Sequence, residues 1–171
     1  AFLFVMVGSI LLKGKSAFVS SDIAITIDLG PDNVDKNNIN ETRFDALVKK
    51  SLRQTFPNVK SRKEKKKLYG LLSSDMGFEL RDQILNDTSI LGSEATLWFT
   101  ASDDIDLLLK GAVDLSLDED NRRISDLEVE WISLLKDTDN VRTKFNKKFF
   151  TNGDSREPEL AGILSALMGS I

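Results

Sequence analysis

The chain has 171 residues, of which 41% are apolar and 29% are charged, a composition typical of one globular domain with an ordinary core. Its formal net charge of −4 argues against a general nucleic-acid binder, which needs a basic surface to hold phosphates. It contains neither Cys nor His, which excludes thiol and imidazole catalysis, disulfides and the usual zinc sites, so we expect no enzyme activity, no metal and no cofactor.

The run from Ala1 to Leu12 contains no charged residue. It is shorter than the roughly 20 residues that cross a bilayer core, and it lacks the flanks of a signal peptide. We interpret residues 1–20 as the end of a transmembrane helix and its exit, with Lys13 and Lys15 at the lipid interface. The domain that follows is predicted to cover residues 21–154.

The first element of this domain is predicted to be a strand. Residues 22–29 alternate strictly between polar or small and apolar side chains, which indicates a half-buried strand. Its apolar face carries Ile23, Ile25, Ile27 and Leu29. The Asn-rich stretch after Gly30 is interpreted as an exposed loop, with Asn40 as the cap of the next helix.

Three helices are predicted between the first two strands. The first ends near Pro57, and its apolar face holds Phe44, Leu47, Val48 and Leu52. A capping box from Ser61 to Glu64 begins the second helix. The third is built around Leu80, Ile84 and Leu85.

The second helix is strongly basic, because six of the eight positions from Lys60 to Lys67 are Lys or Arg. Such a cluster could face anionic lipid headgroups if the domain sits close to a bilayer. A solvated helix face is the interpretation we favour at this point, because charge runs on short helices usually need no partner.

The second half of the domain is predicted to contain two strands and two helices. Residues 95–100 and 141–150 have the composition of strands. Ser102 can cap a helix whose apolar face holds Ile105, Leu108, Leu109 and Ala112. A capping box from Ser125 to Glu128 begins another, whose core face holds Leu127, Trp131, Leu134 and Leu135. We therefore predict an α+β fold in which a small sheet of about three strands packs with four to five helices.

The acidic stretch from Asp114 to Asp120 resembles the first half of a calcium-binding loop. The resemblance fails at Glu119, where the loop requires Gly, and at Ser125, where it requires a bidentate Glu. We therefore predict no metal site in this stretch.

The polar cluster 152–159 precedes a second charge-free segment. Asp154, Arg156 and Glu157 are candidate interaction residues, although a hinge in which Arg156 pairs with neighbouring carboxylates is favoured over a ligand site. Pro158 suits the first position of a helix, and small residues then recur every four positions, as in packed membrane helices. We interpret residues 155–171 as the start of the next transmembrane helix, with a buried helix of a soluble core as the alternative.

Several motifs together resemble one transporter family. They are Leu71–Ser74 with Phe78–Asp82, Ala101–Asp106 with Lys110–Gly111, and Phe149–Gly162. They resemble the N-terminal region of PstA, the permease family of phosphate ABC transporters, in the bacterial group that carries a large domain between the first two membrane helices.

The resemblance implies a permease subunit in the bacterial inner membrane, with this domain on the periplasmic side. The implied partners are a second permease subunit, a periplasmic phosphate-binding protein and a separate ATPase subunit, with membrane at both ends of the domain and no nucleic acid. The permease core would then lie downstream of residue 171. Our hypothesis is an interaction or docking module without catalysis of its own, and the alternative is an extracytoplasmic domain that senses phosphate or a cation.

Overall fold

The structure, a computed structural model, describes residues 19–35 and 38–145. Its strands are β1 (Val19–Asp28), β2 (Glu94–Thr100) and β3 (Val141–Phe145). Its helices are α1 (Phe44–Thr55), α2 (Arg62–Tyr69), α3 (Met76–Asn86), α4 (Asp103–Leu109) and α5 (Asp126–Asp137). The strands form an antiparallel sheet in the order β2–β1–β3, so the predicted α+β fold is confirmed. Residues Ser21–Arg142 form one compact unit.

The core face of the sheet is the apolar face that the alternation in β1 predicted. Ile23, Ile25 and Ile27 are all buried, together with Leu29 just after the strand. In the antiparallel pairing, Ile23 lies opposite Phe99 of β2, which is also buried. The core face therefore continues from the central strand onto its neighbour.

The other face of β1 is more buried than a half-exposed strand would be. Asp22 and Ala24 are buried although they alternate with the core residues. Ala24 lies opposite Trp98 on β2, and Arg142 binds Asp22 while stacking on the Trp98 ring. These two large side chains remove the beginning of β1 from solvent on the side away from the core.

Helices α1 and α3 form the main helical layer, and α3 also packs on β2. All four predicted core residues of α1 are buried, as are Leu80 and Ile84 of α3. Leu85 was predicted to join this face, but it is exposed. Consecutive residues of a helix differ by about 100° in direction, so a stripe through Leu80 and Ile84 leaves Leu85 outside it.

Side chains of α3 cover the outer edge of β2. The Glu79 carboxylate accepts hydrogen bonds from the Thr100 backbone N–H at 2.8 Å and from the Thr100 hydroxyl at 2.5 Å. The Gln83 amide donates to the Trp98 carbonyl oxygen at 3.0 Å. These backbone groups lie on the edge away from β1, so α3 satisfies an edge that would otherwise be open to pairing.

The structure contains some of the predicted helix caps but not all of them. At Ser61 the capping box is complete, with hydrogen bonds of 3.2 and 3.1 Å between Ser61 and Glu64. Ser125 donates from its backbone N–H and its hydroxyl to the Glu128 carboxylate. Ser102 holds the N-cap position of α4, but its side chain makes no capping hydrogen bond. The N-cap position of α1 belongs to Arg43 and not to Asn40, because residues Ile39–Glu41 form a 3₁₀ turn and α1 begins only at Phe44.

Two further residues, Leu134 and Ala112, were predicted to face the core in the second half of the domain, but both are exposed. Leu134 is exposed, and Ile132 is buried beside Trp131 and Leu135 in its place. Ala112 is exposed because α4 ends three residues earlier, at Leu109.

Of the predicted membrane segments, 1–20 and 155–171, only residues 19–20 are described, and they form the beginning of β1. The last five residues of the predicted third strand also lie outside the described residues. Within the described residues, no helix has both the length and the apolar character needed to cross a bilayer.

Candidate functional site

The candidate residues Asp154, Arg156 and Glu157 lie outside the described residues. Their role as interaction residues therefore stays a prediction. Three other features of the compact unit are candidates for contact with a ligand or a partner: a polar cleft, a charged cluster at the beginning of β1, and an exposed face of α3.

The polar cleft lies between the turn after β1 and the first two turns of α1, and it has a volume of about 490 Å³. The described residues that line it are Pro31, Asp32, Asn33, Asp35, Asn38, Glu41, Thr42, Arg43, Ala46, Leu47 and Lys50. Most of these residues carry polar or charged side chains, so the cleft suits a small polar ligand better than an apolar one.

The wall of the cleft is ordered by a chain of hydrogen bonds that begins at Asp28. One oxygen of Asp28 accepts from the Gly30 backbone N–H at 2.9 Å, and the other accepts from the Asn33 amide at 2.8 Å. The amide oxygen of Asn33 in turn accepts from Lys50 Nζ at 2.8 Å. A Cβ at Gly30 would lie 2.9 Å from the Asp28 carboxylate oxygen, so a larger residue here would displace the Asp28 side chain from this turn.

The charges of the cleft are mixed. Arg43 and Lys50 are cationic, whereas Asp32, Asp35 and Glu41 are anionic. A site of this kind can hold a ligand that has both charged and neutral polar groups. Among the described residues, no three acidic side chains are grouped in a way that could hold a metal ion.

Sequence reasoning identified the lining stretch only as an exposed, turn-rich loop. The Asp28, Gly30 and Asn33 pattern was the available signal for an ordered turn, because short polar side chains commonly hydrogen-bond the backbone nearby. Nothing in the sequence near Lys50 indicates that it reaches Asn33, 17 positions away.

The charged cluster joins β1 to the beginning of β3. Arg142 donates from Nε at 3.3 Å and from Nη2 at 3.1 Å to the same oxygen of Asp22. Its guanidinium carbon lies 4.1 Å from the centre of the Trp98 ring. Asp22 is fully buried and the arginine is half-exposed, so this cluster holds the sheet together and offers little room for a ligand.

The exposed face of α3 carries large apolar side chains. Phe78 is 69% exposed and Leu85 is 49% exposed. The two lie seven positions apart, so they are on the same side of the helix. The helix itself is anchored to β2 by Glu79 and Gln83, which means that this face is presented on a fixed support. Exposed apolar side chains on one face of an anchored helix offer a candidate contact for a second protein.

A family model matches residues 1–119, more than half of the chain, and its description is Domain of unknown function (DUF3333). This chain belongs to the DUF3333 family. The match covers all of β1, α1 to α4 and β2, and therefore contains the polar cleft, the basic helix and the exposed face of α3. No curated protein and no solved structure matches this DUF3333 chain.

Proposed function

We propose that this DUF3333 chain is the periplasmic domain of the permease subunit of a phosphate ABC importer, and that it is an interaction module without catalysis of its own. The link to phosphate import rests on the resemblance of the three motif regions to the PstA permeases. The observation that carries the docking role is the exposed apolar face of α3, whose Phe78 lies within one of those motifs, Phe78–Asp82.

The division of labour within this motif supports the proposal. Glu79 fastens the helix to β2 through two hydrogen bonds, and Leu80 is fully buried in the core. Phe78 makes no comparable contribution to the core, because most of its ring faces solvent. Its side chain would gain the free energy of burial against a second protein, for which the partner permease subunit and the phosphate-binding protein are the candidates.

The test is phosphate uptake by the whole transporter, with the permease altered at the α3 face. Phe78→Ser together with Leu85→Ser should reduce uptake at low phosphate and weaken co-purification with the binding protein or the partner permease. The matched control is Leu115→Ser with Leu117→Ser, which removes two leucines that are 48% and 47% exposed in another loop. The control should leave both measurements unchanged.

A permease that lacks residues 22–154 gives the decisive outcome for the broader proposal. Unchanged uptake at low phosphate, with docking of the binding protein intact, would show that the domain is not an interaction module. Loss of transport in the deletion with normal transport in the α3 variant would retain the module but reject this face.

The polar cleft favours a second candidate, an extracytoplasmic domain that senses phosphate or a cation. Lys50 and Arg43 supply positive charge to it, and Asn33 is held in a fixed orientation. Calorimetric titration of the chain with inorganic phosphate, and separately with a divalent cation, tests this function. Heat of binding that is lost in Lys50→Ala would support the sensor, whereas an interaction module should give no heat with either ligand.

A further inference from the structure

The basic helix α2 is the most concentrated charge in the chain. Residues 60–67 contain six basic residues and one acidic residue, a net charge of +5 against −9 for the rest of the chain. Within the described residues, Lys67 forms an ion pair with Glu119 at 3.3 Å. The other five basic side chains form no ion pair or side-chain hydrogen bond within residues 19–35 and 38–145; they are Lys60, Arg62, Lys63, Lys65 and Lys66.

The helix that carries these charges is capped at its beginning and anchored to the domain at its end. At its beginning, Ser61 and Glu64 complete the capping box. At its end, Leu68 is fully buried and the Tyr69 hydroxyl accepts a hydrogen bond from Arg53 of α1 at 2.7 Å. The basic side chains are thus displayed on one short helix, and Glu64 and Glu119 offset only part of their mutual repulsion.

The segment that follows α2 lies at the end of the sheet where β1 begins. The carbonyl oxygen of Leu71 accepts from the Ser102 backbone N–H at 3.0 Å. The preceding residue, Ala101, donates its backbone N–H to the Ser21 carbonyl oxygen at 2.9 Å. The Asp22–Arg142 pair lies at this same end, so both boundaries of the compact unit are close to the end of α2.

This end of the sheet is tethered to an apolar segment. Leu12, the last residue of the charge-free run, precedes Ser21 by nine positions, which extended chain spans in at most about 30 Å. Along α2, Lys66 lies five positions before Leu71, an axial distance of about 7.5 Å in helical geometry. A bilayer that takes up the apolar run would therefore be within reach of the basic helix.

We propose that α2 lies on the anionic headgroups of a lipid bilayer and orients the domain against it. The partner chemistry follows from complementarity: an anionic surface supplies many phosphates at once, and lysines and arginines near such a surface each add to the attraction. Among anionic surfaces, a bilayer is favoured because the charge-free run of residues 1–12 is the kind of segment that lipid takes up. This inference does not depend on phosphate transport, and it replaces the solvated-face interpretation that the sequence favoured.

The test measures the distance of α2 from lipid in the whole chain reconstituted into vesicles. The chain has no Cys, so Asn58→Cys gives a unique site for a fluorophore beside the basic stretch. The vesicles are phosphatidylcholine alone or phosphatidylcholine with phosphatidylglycerol, and both contain a headgroup-linked quencher. Quenching should be strong only on the vesicles with phosphatidylglycerol, and it should be lost at high salt.

Three neutralising substitutions on α2 supply the variant, namely Arg62→Gln, Lys63→Gln and Lys66→Gln. The ratio of docked to undocked domain should fall about 100-fold, because each removed charge contributes to surface attraction and three contributions multiply. The matched control neutralises three basic residues outside α2, namely Lys49→Gln, Arg123→Gln and Lys136→Gln. It should retain the quenching.

Two outcomes overturn the proposal. Equal quenching on the two kinds of vesicle shows that lipid charge is irrelevant. Quenching that resists salt, or that the control loses as completely as the α2 variant, indicates a protein neighbour or a non-specific charge effect. If circular dichroism shows that the α2 variant is unfolded, the phosphatidylglycerol and salt dependence of the labelled chain still decides the matter.

Discussion

Arg142 links β1 to the beginning of β3 through a buried carboxylate. Two of its nitrogens donate to one oxygen of Asp22, and its planar group stacks on Trp98. Removing one member of a buried pair costs more than the pair contributes, because the remaining charge keeps its desolvation penalty. The stability of the domain should therefore depend on this one arginine.

We expect Arg142→Ala to lower the free energy of unfolding by about 2 kcal/mol, less than for a fully buried pair because the arginine is half-exposed. Urea unfolding followed by tryptophan fluorescence measures the change. Arg123→Ala is the matched control, since Arg123 is 85% exposed and lies 3.5 Å from Asp104. It should change the free energy by less than about 0.5 kcal/mol. Equal effects of the two substitutions would contradict the role of Asp22.

The Asp114 carboxylate illustrates a local electrostatic effect. The Ser116 hydroxyl and, less strongly, the Ser116 backbone N–H donate to it and hold the pKa of Asp114 below its ordinary value. A carboxyl with a lowered folded-state pKa contributes stability above its unfolded pKa and loses that contribution as the pH falls through the folded pKa.

Ser116→Ala should raise the pKa of Asp114 towards its ordinary value, because the stronger of the two donors is removed. The stability difference between the variant and the natural chain should be present at neutral pH and disappear below about pH 4. Carboxyl carbon shifts followed against pH measure the pKa directly. Ser89→Ala should shift Asp87 alone in the same way, so a shift of Asp114 in that variant would argue against a local cause.

At the scale of single residues, the sequence predicted burial better than pairing. The alternation in β1 identified Ile23, Ile25 and Ile27 correctly, because period-two patterns report directly on a sheet face. The Arg142–Asp22 pair spans 120 positions, and no local pattern reports on such a contact. Asn33 and Lys50 of the cleft were missed for the same reason.

Helix α2 depends on its cap more than the longer helices do. It has eight residues, and Leu68 is its one buried residue, so packing supports it weakly. The carboxylate and hydroxyl of the capping box satisfy two backbone N–H groups that would otherwise lack partners.

Ser61→Ala should therefore lower the free energy of unfolding by about 1 kcal/mol and should speed amide hydrogen exchange in the first turn of α2. Ser102→Ala is the appropriate comparison, because Ser102 also holds an N-cap position but makes no side-chain capping bond. Its cost should stay below about 0.5 kcal/mol. A larger loss of unfolding free energy for Ser102→Ala than for Ser61→Ala, measured by urea unfolding, would contradict the greater contribution of the Ser61 cap.

The existence of every described α-helix and strand could be predicted from the sequence, because each has local signals of periodicity or capping. The sequence could not predict which side of α3 packs against the core. Leu85 and Leu80 are equally apolar, and only tertiary packing decides which of them is buried. The exposed face of α3 became visible as a candidate docking site only when Phe78 was found outside the core.

The order of the strands is a property of the whole molecule. β1 is the central strand although it comes first in the chain, and β3, which completes the sheet, follows all five α-helices in the sequence. Sequence patterns predicted a small sheet but not this order, because hydrophobic alternation identifies faces and not neighbours. The central strand depends on the distant residue before β3, because the backbone N–H of Ala24 donates to the carbonyl oxygen of Asn140 at 2.8 Å.

A chain that stops after Asp139 should lose its cooperative unfolding transition, because it lacks β3, Arg142 and the partner of the Ala24 N–H. Near-ultraviolet circular dichroism of Trp98 and Trp131, together with urea unfolding, measures the loss. A chain that stops after Phe145 retains all of β3 and serves as the control. Equal urea midpoints for the two shortened chains would show that β3 is dispensable.

The meeting of Ser21 and Arg142 at one end of an antiparallel strand pair also determines how the domain responds to mechanical load. A force that separates its two attachment points would act across the strands, and it would open the pairing of β1 with β3 from that end, through the Asp22–Arg142 contact towards the Ala24–Asn140 hydrogen bond. The contacts would yield one at a time, as in a zipper, because no shear distributes the load over many bonds. Pulling single molecules from these two ends should therefore open the sheet at a lower force than pulling along β1. Relative movement of the two flanking segments would be transmitted first to the most buried charge of the domain.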